Sequence, residues 1–178
     1  MNETGWTWTF RRAERHDVPA IVALVESAYR GEVSRAGWTT EADLLDGQRT
    51  DPAEVETVIA DPASRILLAE RDGTLEGSVM LARKPDAVHV GMFAVRPTLQ
   101  GKGLGKALLN EVERITRDEH LATHLEMTVI AQRTDLITWY QRRGYQVTDK
   151  TEPFPYGDPR FGLPRRDDLF FRVLEKRL

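Results

Sequence analysis

Gln100-Gly101-Lys102-Gly103-Leu104-Gly105 is a glycine-rich turn that follows an extended apolar run, Val88–Val95, and precedes a segment of helical periodicity at 106–117. A turn between a strand and a helix leaves backbone N–H groups free at the helix N-terminus. Those donors and the positive end of the helix dipole attract phosphate oxygens, and glycine lets an anion approach the backbone closely. The stretch therefore predicts a strand, turn and helix that bind a phosphorylated ligand.

Two common phosphate-binding fingerprints do not fit the spacing of this turn. A Walker A loop needs Gly, four residues and then Gly-Lys-Ser/Thr, but Gln100 stands at the first glycine and Ala107 at the hydroxyl position. A dinucleotide fingerprint needs Gly or Ala three residues after Gly105, where the chain has Leu108. A magnesium-dependent nucleotidase is therefore disfavoured. The remaining structural alternative is a tight connection that binds nothing.

The spacing that does fit is Gln-x-x-Gly-x-Gly, formed by Gln100, Gly103 and Gly105. It resembles the pyrophosphate loop of the GNAT superfamily, whose members are acyl-CoA-dependent N-acyltransferases. A second segment, 136–145, resembles the later motif of that family, a helix that carries an aromatic-Tyr pair and ends at Gly-aromatic. The two motifs follow the order of the family, and the motif-bearing region covers roughly residues 65–147.

The composition indicates one domain, 1–178, with a sizeable core, because 40% of the 178 residues are hydrophobic. The 25 Lys and Arg against 28 Asp and Glu give a net charge of −3, which does not support nucleic-acid or anionic-membrane binding. We expect a cytoplasmic protein, since no apolar stretch approaches a membrane span and the first six residues lack signal-peptide features. The absence of cysteine excludes disulfides, thiolate metal ligands and a cysteine nucleophile.

Hydrophobic periodicity predicts strands at 6–12, 66–70, 75–82, 88–95, 125–130, 145–148 and 169–174, and helices after Asp17, at 52–60, at 106–117 and at 134–143. Asp72-Gly73 predicts a hairpin turn, Asp51-Pro52 a helix start, and Gly144 a left-handed helix end. Hairpins followed by strand-helix-strand-helix predict an α/β fold of the α+β kind. This is a central mixed, mostly antiparallel sheet flanked by helices on both faces. The resemblance implies the same fold, with a sheet that splays open beside the glycine turn.

The resemblance also implies a site for acetyl-CoA as co-substrate. It assigns the pyrophosphate to Gln100, Gly101, Lys102, Gly103, Leu104, Gly105 and Lys106, and assigns pantetheine and oxyanion contacts to the backbone of Phe93, Ala94 and Val95. Tyr140 falls on the usual general-acid position of the family, where it would protonate the departing thiolate. The alternative is a buried aromatic that packs the helix, one turn from Leu136. Arg133 and Leu136 depart from the family, which often has Asn and Ala there.

The candidate general base is Glu126. Its apolar neighbours indicate a largely buried strand, where desolvation would raise the pKa of a carboxylate. The alternative is a glutamate on a solvated face or paired with an arginine. His89 is a second candidate, with a structural or surface histidine as its alternative. Family members often use ordered water, so a dedicated base is not required.

Two histidines and two irregular regions complete the candidate features. His120 and His124 lie four residues apart, but no third ligand is evident, so we predict no metal. Acceptor selection is expected to rest on the irregular regions 30–50 and 150–167. The first contains charges of both signs, and the second contains four prolines and three aromatic residues.

The motifs together predict an N-acetyltransferase that moves acetyl from acetyl-CoA to a primary amine of a small molecule or peptide, by direct attack in a ternary complex. One alternative is a transferase of a longer acyl group. Another is a non-catalytic acyl-CoA-binding regulatory or interaction protein. No nucleic-acid or membrane partner is expected, and the sequence is compatible with a monomer or a homodimer.

Overall fold

The computed structural model describes residues 5–119 and 121–178. Within these ranges the strands are β1 (Thr9–Arg12), β2 (Leu45–Asp46), β3 (Ser64–Arg71), β4 (Thr74–Arg83), β5 (Val88–Val95), β6 (His124–Ile130), β7 (Gln146–Pro153), β8 (Leu163–Pro164) and β9 (Phe170–Arg177). The α-helices are α1 (Val18–Tyr29), α2 (Gly31–Ser34), α3 (Pro52–Ala60), α4 (Leu104–Asp118) and α5 (Thr134–Gln141).

Seven of these strands form one sheet in the order β1-β3-β4-β5-β6-β9-β7. Strands β5 and β6 run parallel, and the other described neighbours in this sheet run antiparallel. Helices α4 and α5 pack on one face, and α1 and α3 pack on the other. The predicted mixed, mostly antiparallel sheet with helices on both faces is confirmed.

The core lies on both faces of the sheet because the central strands are apolar on both sides. In β3, Leu67 and Ala69 pack on the α4 face while Ile66 and Leu68 pack on the α1 face, since successive side chains of a strand point in opposite directions. Each fully buried Leu or Ile side chain stabilises the fold by about 1.5–3 kcal/mol. Four buried residues of α4 share its sheet-facing stripe: Leu104, Leu108, Val112 and Ile115.

Local signals at turns and helix ends are confirmed. The Asp51 carboxylate accepts the backbone N–H of Glu54 at 2.9 Å, which caps α3. Asp72 and Gly73 both have positive φ, at 52° and 75°, as a tight hairpin turn requires. Gly144 follows α5 with φ of 90°, a left-handed conformation that glycine adopts without a Cβ clash.

Three predicted strands differ from the structure by three or more residues at one end, and the last of them spans Phe170–Arg177 rather than 169–174. The first spans 9–12 rather than 6–12. Strand β7 runs from Gln146 to Pro153 rather than over 145–148, because β9 supplies a long antiparallel partner for a stretch that is polar on both faces. The second irregular region therefore begins after Pro153, not at 150.

The two irregular regions also pair with each other. Leu45 of β2 lies opposite Pro164 of β8, and Arg165 donates to the Asp46 carboxylate at 2.7 Å. The sequence did not predict these strands. A two-residue strand has no hydrophobic pattern of its own, and here its partner lies 119 residues away in the chain.

Strands β5 and β6 pair only where they begin. Val88 lies opposite Leu125 and His89 opposite Glu126, and no later residues of the two strands are paired. Met92 has a φ of 43°, which is rare for a residue with a Cβ and marks an irregularity in β5. The opening of the sheet that the resemblance implied is thus present. It lies at the end of β5 that leads into the glycine turn.

Candidate active site

The N-terminus of α4 presents free backbone donors. Gly103 precedes the helix with a φ of 94°, and no side chain caps this end. Ala107 donates its N–H to the Gly103 carbonyl at 3.0 Å. The N–H groups of Leu104, Gly105 and Lys106 come before this bond and have no partner within the helix. Together with the helix dipole, they form an environment that favours an anion.

Two cavities meet beside this helix end. The loop cavity, about 250 Å³, has Gly105 and Lys106 in its wall. The sheet cavity, about 310 Å³, is lined by residues of β5, β6 and the segment between α1 and α3. Four residues line both cavities: Tyr29, Phe93, Leu136 and Tyr140. A molecule in either cavity would therefore contact the same small group of side chains.

Most of the predicted cofactor-binding residues line the loop cavity, namely Phe93, Val95, Gln100, Gly101, Gly103, Gly105 and Lys106. The other three have side chains elsewhere. The Lys102 ammonium lies 5.1 Å from the Trp6 ring centroid. Leu104 is fully buried in the core on the α4 face, and Ala94 is buried in the core on the α1 face. The side chains of Leu104 and Ala94 therefore cannot contact a ligand.

The Gln100 side chain holds the glycine turn to two other segments. Its Oε1 accepts the backbone N–H groups of Trp38 at 2.8 Å and Thr39 at 3.1 Å. Its Nε2 donates to the Thr39 hydroxyl at 2.7 Å and to the Val95 carbonyl at 3.1 Å. A Cβ at Gly37 would lie 2.5 Å from Gln100 Oε1, so a side chain at that position would displace the Gln100 amide from these hydrogen bonds. The side chain thus positions the turn, a role that the motif alone does not reveal.

The open edge of β5 faces the junction of the cavities. Arg96 donates its backbone N–H to the Glu76 carbonyl of β4 at 2.9 Å, so Ala94, two residues earlier and opposite Ser78, also directs its backbone groups toward β4. Backbone groups of alternate residues in a strand point to opposite edges, so Phe93 and Val95 direct theirs away from β4. The Tyr29 hydroxyl donates to the Phe93 carbonyl from that side. The backbone of Phe93 and Val95 is therefore placed for ligand contacts, and that of Ala94 belongs to the sheet.

Tyr140 lies at the junction of the two cavities. Its ring centroid is 5.0 Å from that of Trp139 and 6.4 Å from that of Phe93. Burial raises its pKa well above 10, since an apolar environment disfavours the phenolate. No hydrogen bond joins its hydroxyl to another residue in the described parts of the chain. The general-acid role stays a prediction, and the side chain is both a packing residue and part of the cavity wall.

Trp139 and Arg143 form a wall of the loop cavity that the sequence analysis did not assign. The guanidinium carbon of Arg143 lies 3.4 Å from the Trp139 ring centroid, and Nη1 donates to the Trp139 carbonyl at 2.7 Å. A Cβ at Gly105 would lie 3.3 Å from Trp139, so the absence of a side chain there allows close packing. Lys106 and Arg143 therefore both place positive charge in this wall.

Glu126 differs from the expectation of a desolvated base. Lys84 donates to its carboxylate at 2.6 Å, and this bond holds the pKa of Glu126 below its usual value although burial acts in the opposite direction. The expected rise in pKa is wrong, because the sequence gives no sign of a lysine partner 42 residues away. His89 Nδ1 lies 3.8 Å from the same carboxylate, which is beyond hydrogen-bond distance.

His89 lines the sheet cavity and has a perturbed pKa. Burial lowers that pKa below 6.5, and the charge of Lys84 acts in the same direction. Its Nδ1 is buried without a hydrogen-bond partner among the described residues. The imidazole is therefore neutral at pH 7 and can accept a proton.

A buried ion cluster adjoins the sheet cavity. Arg30 and Arg133 both donate to the Glu41 carboxylate, the latter at 3.2 Å. Burial acts to raise the pKa of Glu41, but Arg133, Arg49 and Arg30 together hold it below the usual value. Arg133, which replaces the family's usual Asn, is thus part of a long-range cluster. Sequence reasoning missed the pair because Glu41 and Arg133 are 92 residues apart.

Within residues 5–119 and 121–178, no group of three His, Cys, Asp or Glu side chains could hold a metal ion. His120, one of the two histidines considered above, lies outside the described residues. None of the helices in the described part of the chain is long and apolar enough to cross a membrane.

Residues 20–145 match the Acetyltransferase (GNAT) family. The chain therefore belongs to the GNAT acetyltransferase family and is an enzyme of that type. This confirms the resemblance carried by the glycine turn and the Trp-Tyr helix.

Three comparisons illustrate the relationship. The chain is 33% identical over 126 residues to a mycothiol acetyltransferase from Cellulomonas flavigena, covering 65% of this chain and 35% of that protein. It is 31% identical over 120 residues to an IAA acetyltransferase from Azospirillum brasilense, covering 66% of this chain and 76% of that protein. The chain thus matches about a third of the length of the first relative. The fold is similar to that of the PaiA N-acetyltransferase from Thermoplasma acidophilum in complex with coenzyme A, with 17% identity, a TM-score of 0.68, and 97% and 100% of the two chains covered.

Proposed function

We propose that this chain, as a single N-acetyltransferase domain, transfers acetyl from acetyl-CoA to a primary amine of a small molecule or peptide. The observation that carries the proposal is the meeting of two cavities at Tyr140. Two reactants in opposite cavities would meet at one residue, as direct attack in a ternary complex requires. The coenzyme A in the Thermoplasma structure and the names of the two relatives support acetyl-CoA as the donor.

The loop cavity fits the chemistry of coenzyme A. The N–H groups of Leu104, Gly105 and Lys106 and the Lys106 ammonium would hold the pyrophosphate at the helix end. The open backbone edge at Phe93 and Val95 suits the amide groups of pantetheine. When bound, the coenzyme supplies an acetyl group activated as a thioester.

Tyr140 would assist departure of the thiolate. A thiol has a pKa of about 8.5 and a phenol one of about 10, so proton transfer from a tyrosine to a thiolate is uphill in water. Burial raises the pKa of Tyr140 further, so the hydroxyl keeps its proton and donates a strong hydrogen bond to the sulfur as charge develops. A backbone N–H on the open edge of β5, from Phe93 or Val95, would stabilise the oxyanion.

On the acceptor side, His89 is the proton acceptor that the geometry favours. It lines the sheet cavity, its Nδ1 has no partner in the described chain, and its lowered pKa keeps it neutral. Glu126 is the alternative base. Its carboxylate is occupied by Lys84, which lowers its basicity.

Thiol release from acetyl-CoA tests the proposal directly. A chromogenic disulfide reagent gives no background from a protein without cysteine. The acceptor panel contains amino acids, polyamines, aminoglycosides and peptides, and parallel assays with propionyl-CoA test the acyl length. We expect acceptor-dependent release that is faster with acetyl-CoA. Calorimetric binding of acetyl-CoA with no release across the panel would favour an acyl-CoA-binding regulator, and no binding would contradict the assignment of the loop cavity.

A further inference from the structure

Four charged side chains cluster around Tyr29 at one end of the sheet cavity. Arg30 and Arg133 pair with Glu41, and the guanidinium carbon of Arg49 lies 5.7 Å from the Tyr29 ring centroid. All three arginines lie close enough to Tyr29 to lower its pKa, while burial raises it. Three positive charges face the Glu41 carboxylate, and the Glu26 carboxylate, which accepts the backbone N–H of Arg49 at 2.6 Å, brings a second negative charge, so one positive charge is in excess.

The excess charge is poorly neutralised by the protein. Arg30 and Arg133 are each 5% exposed, and the Nη2 atom of each is buried without a hydrogen-bond partner among the described residues. The side chain of Arg49 forms no ion pair or hydrogen bond within residues 5–119 and 121–178. A buried guanidinium normally has its donors satisfied, because an unpaired buried charge is costly. The cluster is thus complementary to one further anionic group.

The position of the cluster indicates which reactant carries that group. Arg30, Glu41 and Arg49 line the sheet cavity but not the loop cavity, so they lie apart from the proposed pyrophosphate site. Tyr29 connects them to the reaction centre, since its ring lies under Arg49 and its hydroxyl bonds to Phe93. The anionic group therefore belongs to the acceptor and lies a short distance from its amine.

The rest of the cavity wall limits the size and charge of the acceptor. Two exposed glutamates, Glu54 and Glu152, also line the sheet cavity and would repel a polyanion. An acceptor with a single carboxylate close to its amine would pair with the arginine cluster and would be repelled less by these two glutamates than a polyanion. A polyamine carries no anionic group that could pair with the arginines.

We infer that the acceptor is an amino acid or a similarly compact amine with one nearby carboxylate, bound through that carboxylate by Arg49, while the buried Arg30 and Arg133 add positive charge behind it. Guanidinium groups bind carboxylates through paired N–H donors, which fixes orientation as well as affinity. This inference rests on the proposed amine acetylation, in which the bound amine would lie at Tyr140.

Product binding tests the carboxylate site without relying on turnover. The ligands are the N-acetyl derivatives of the common amino acids and the matching N-acetyl amino acid amides, titrated into coenzyme A-saturated protein by calorimetry. We expect at least one acid to bind about 10- to 100-fold more tightly than its amide, as loss of a charged hydrogen bond implies. Arg49→Gln should remove that preference. Arg117→Gln, an exposed arginine of α4, is the matched control and should retain it.

Failure of this inference and failure of the proposed function give different results. Equal binding of acids and amides, no binding of either, or an unchanged preference in Arg49→Gln would overturn the carboxylate site. Efficient thiol release with polyamines, without any preference for amino acids over their amides, would overturn it while supporting the transferase. If the unmodified protein did not bind acetyl-CoA, the assignment of the loop cavity would be wrong, and this result would count against the proposed function itself.

Discussion

Gln100 Oε1 accepts the backbone N–H of Trp38 at 2.8 Å, which joins the glycine turn to a loop 62 residues earlier in the chain. The Trp38 ring lies 6.0 Å from that of Trp139, so the same loop also contacts α5. One amide side chain thus helps to assemble a cavity wall from the turn, the loop after α2 and the aromatic helix. This relationship makes Gln100 a positioning residue for the loop cavity.

Replacement of Gln100 by Ala should weaken acetyl-CoA binding and lower the free energy of unfolding by roughly 1–3 kcal/mol, because four hydrogen bonds are lost at a half-buried site. Denaturant unfolding and calorimetry measure the two effects. Gln146→Ala removes an exposed glutamine and is the control. If Gln100→Ala matched the control in both measurements, the positioning role would be rejected.

Lys102 in the glycine turn and Lys106 in the first turn of α4 should differ in their effect on coenzyme binding. Lys106 lines the loop cavity, whereas the Lys102 ammonium lies against Trp6. We expect Lys106→Ala to weaken acetyl-CoA binding by about 10- to 100-fold and to reduce its salt dependence. Lys102→Ala should have a much smaller effect. Equal losses in both variants, measured by calorimetry at two salt concentrations, would contradict this assignment.

Two buried tyrosines allow a matched test of the proposed general acid. Tyr140→Phe should reduce kcat by about 10²-fold or more, with acetyl-CoA affinity unchanged, because it removes only the hydroxyl that would face the departing sulfur. Tyr145 has a buried hydroxyl without a partner among the described residues. Tyr145→Phe should leave kcat unchanged and should not reduce stability. Normal turnover in Tyr140→Phe would remove Tyr140 from the mechanism.

If His89 is the general base, its protonation should determine how kcat/KM falls at low pH. A histidine that accepts a proton must be neutral, so kcat/KM should fall as the pH drops through the pKa of His89. Because burial lowers that pKa, the midpoint should lie below 6.5. His89→Gln should lower the rate and remove this limb, while the exposed His16→Gln should not. If Glu126→Gln removed the limb and His89→Gln did not, Glu126 would be the base.

Local sequence patterns predicted the elements that carry the proposed coenzyme site. Strand β5 has the predicted limits, Val88–Val95, and α4 begins within two residues of the predicted start. The cap at Asp51 and the positive φ of Gly144 were also predictable. Each of these features depends on residues only a few positions apart, so periodicity and turn chemistry suffice.

The acceptor side of the site depended on contacts between distant residues. Lys84 determines the pKa of Glu126 from 42 positions away. Arg133 meets Glu41 across 92 positions, and the Asp46–Arg165 pair spans 119. No local sequence pattern indicates which side chains will be in contact after the chain folds. Burial shifts the pKa of an ionisable group and sets the free energy of an ion pair, and burial is defined only by the packed structure. The sequence by itself determined the family, the strand–turn–helix unit and the position of Tyr140 within the second motif. The tertiary structure alone assembled the arginine cluster and placed it at the sheet cavity, apart from the loop cavity.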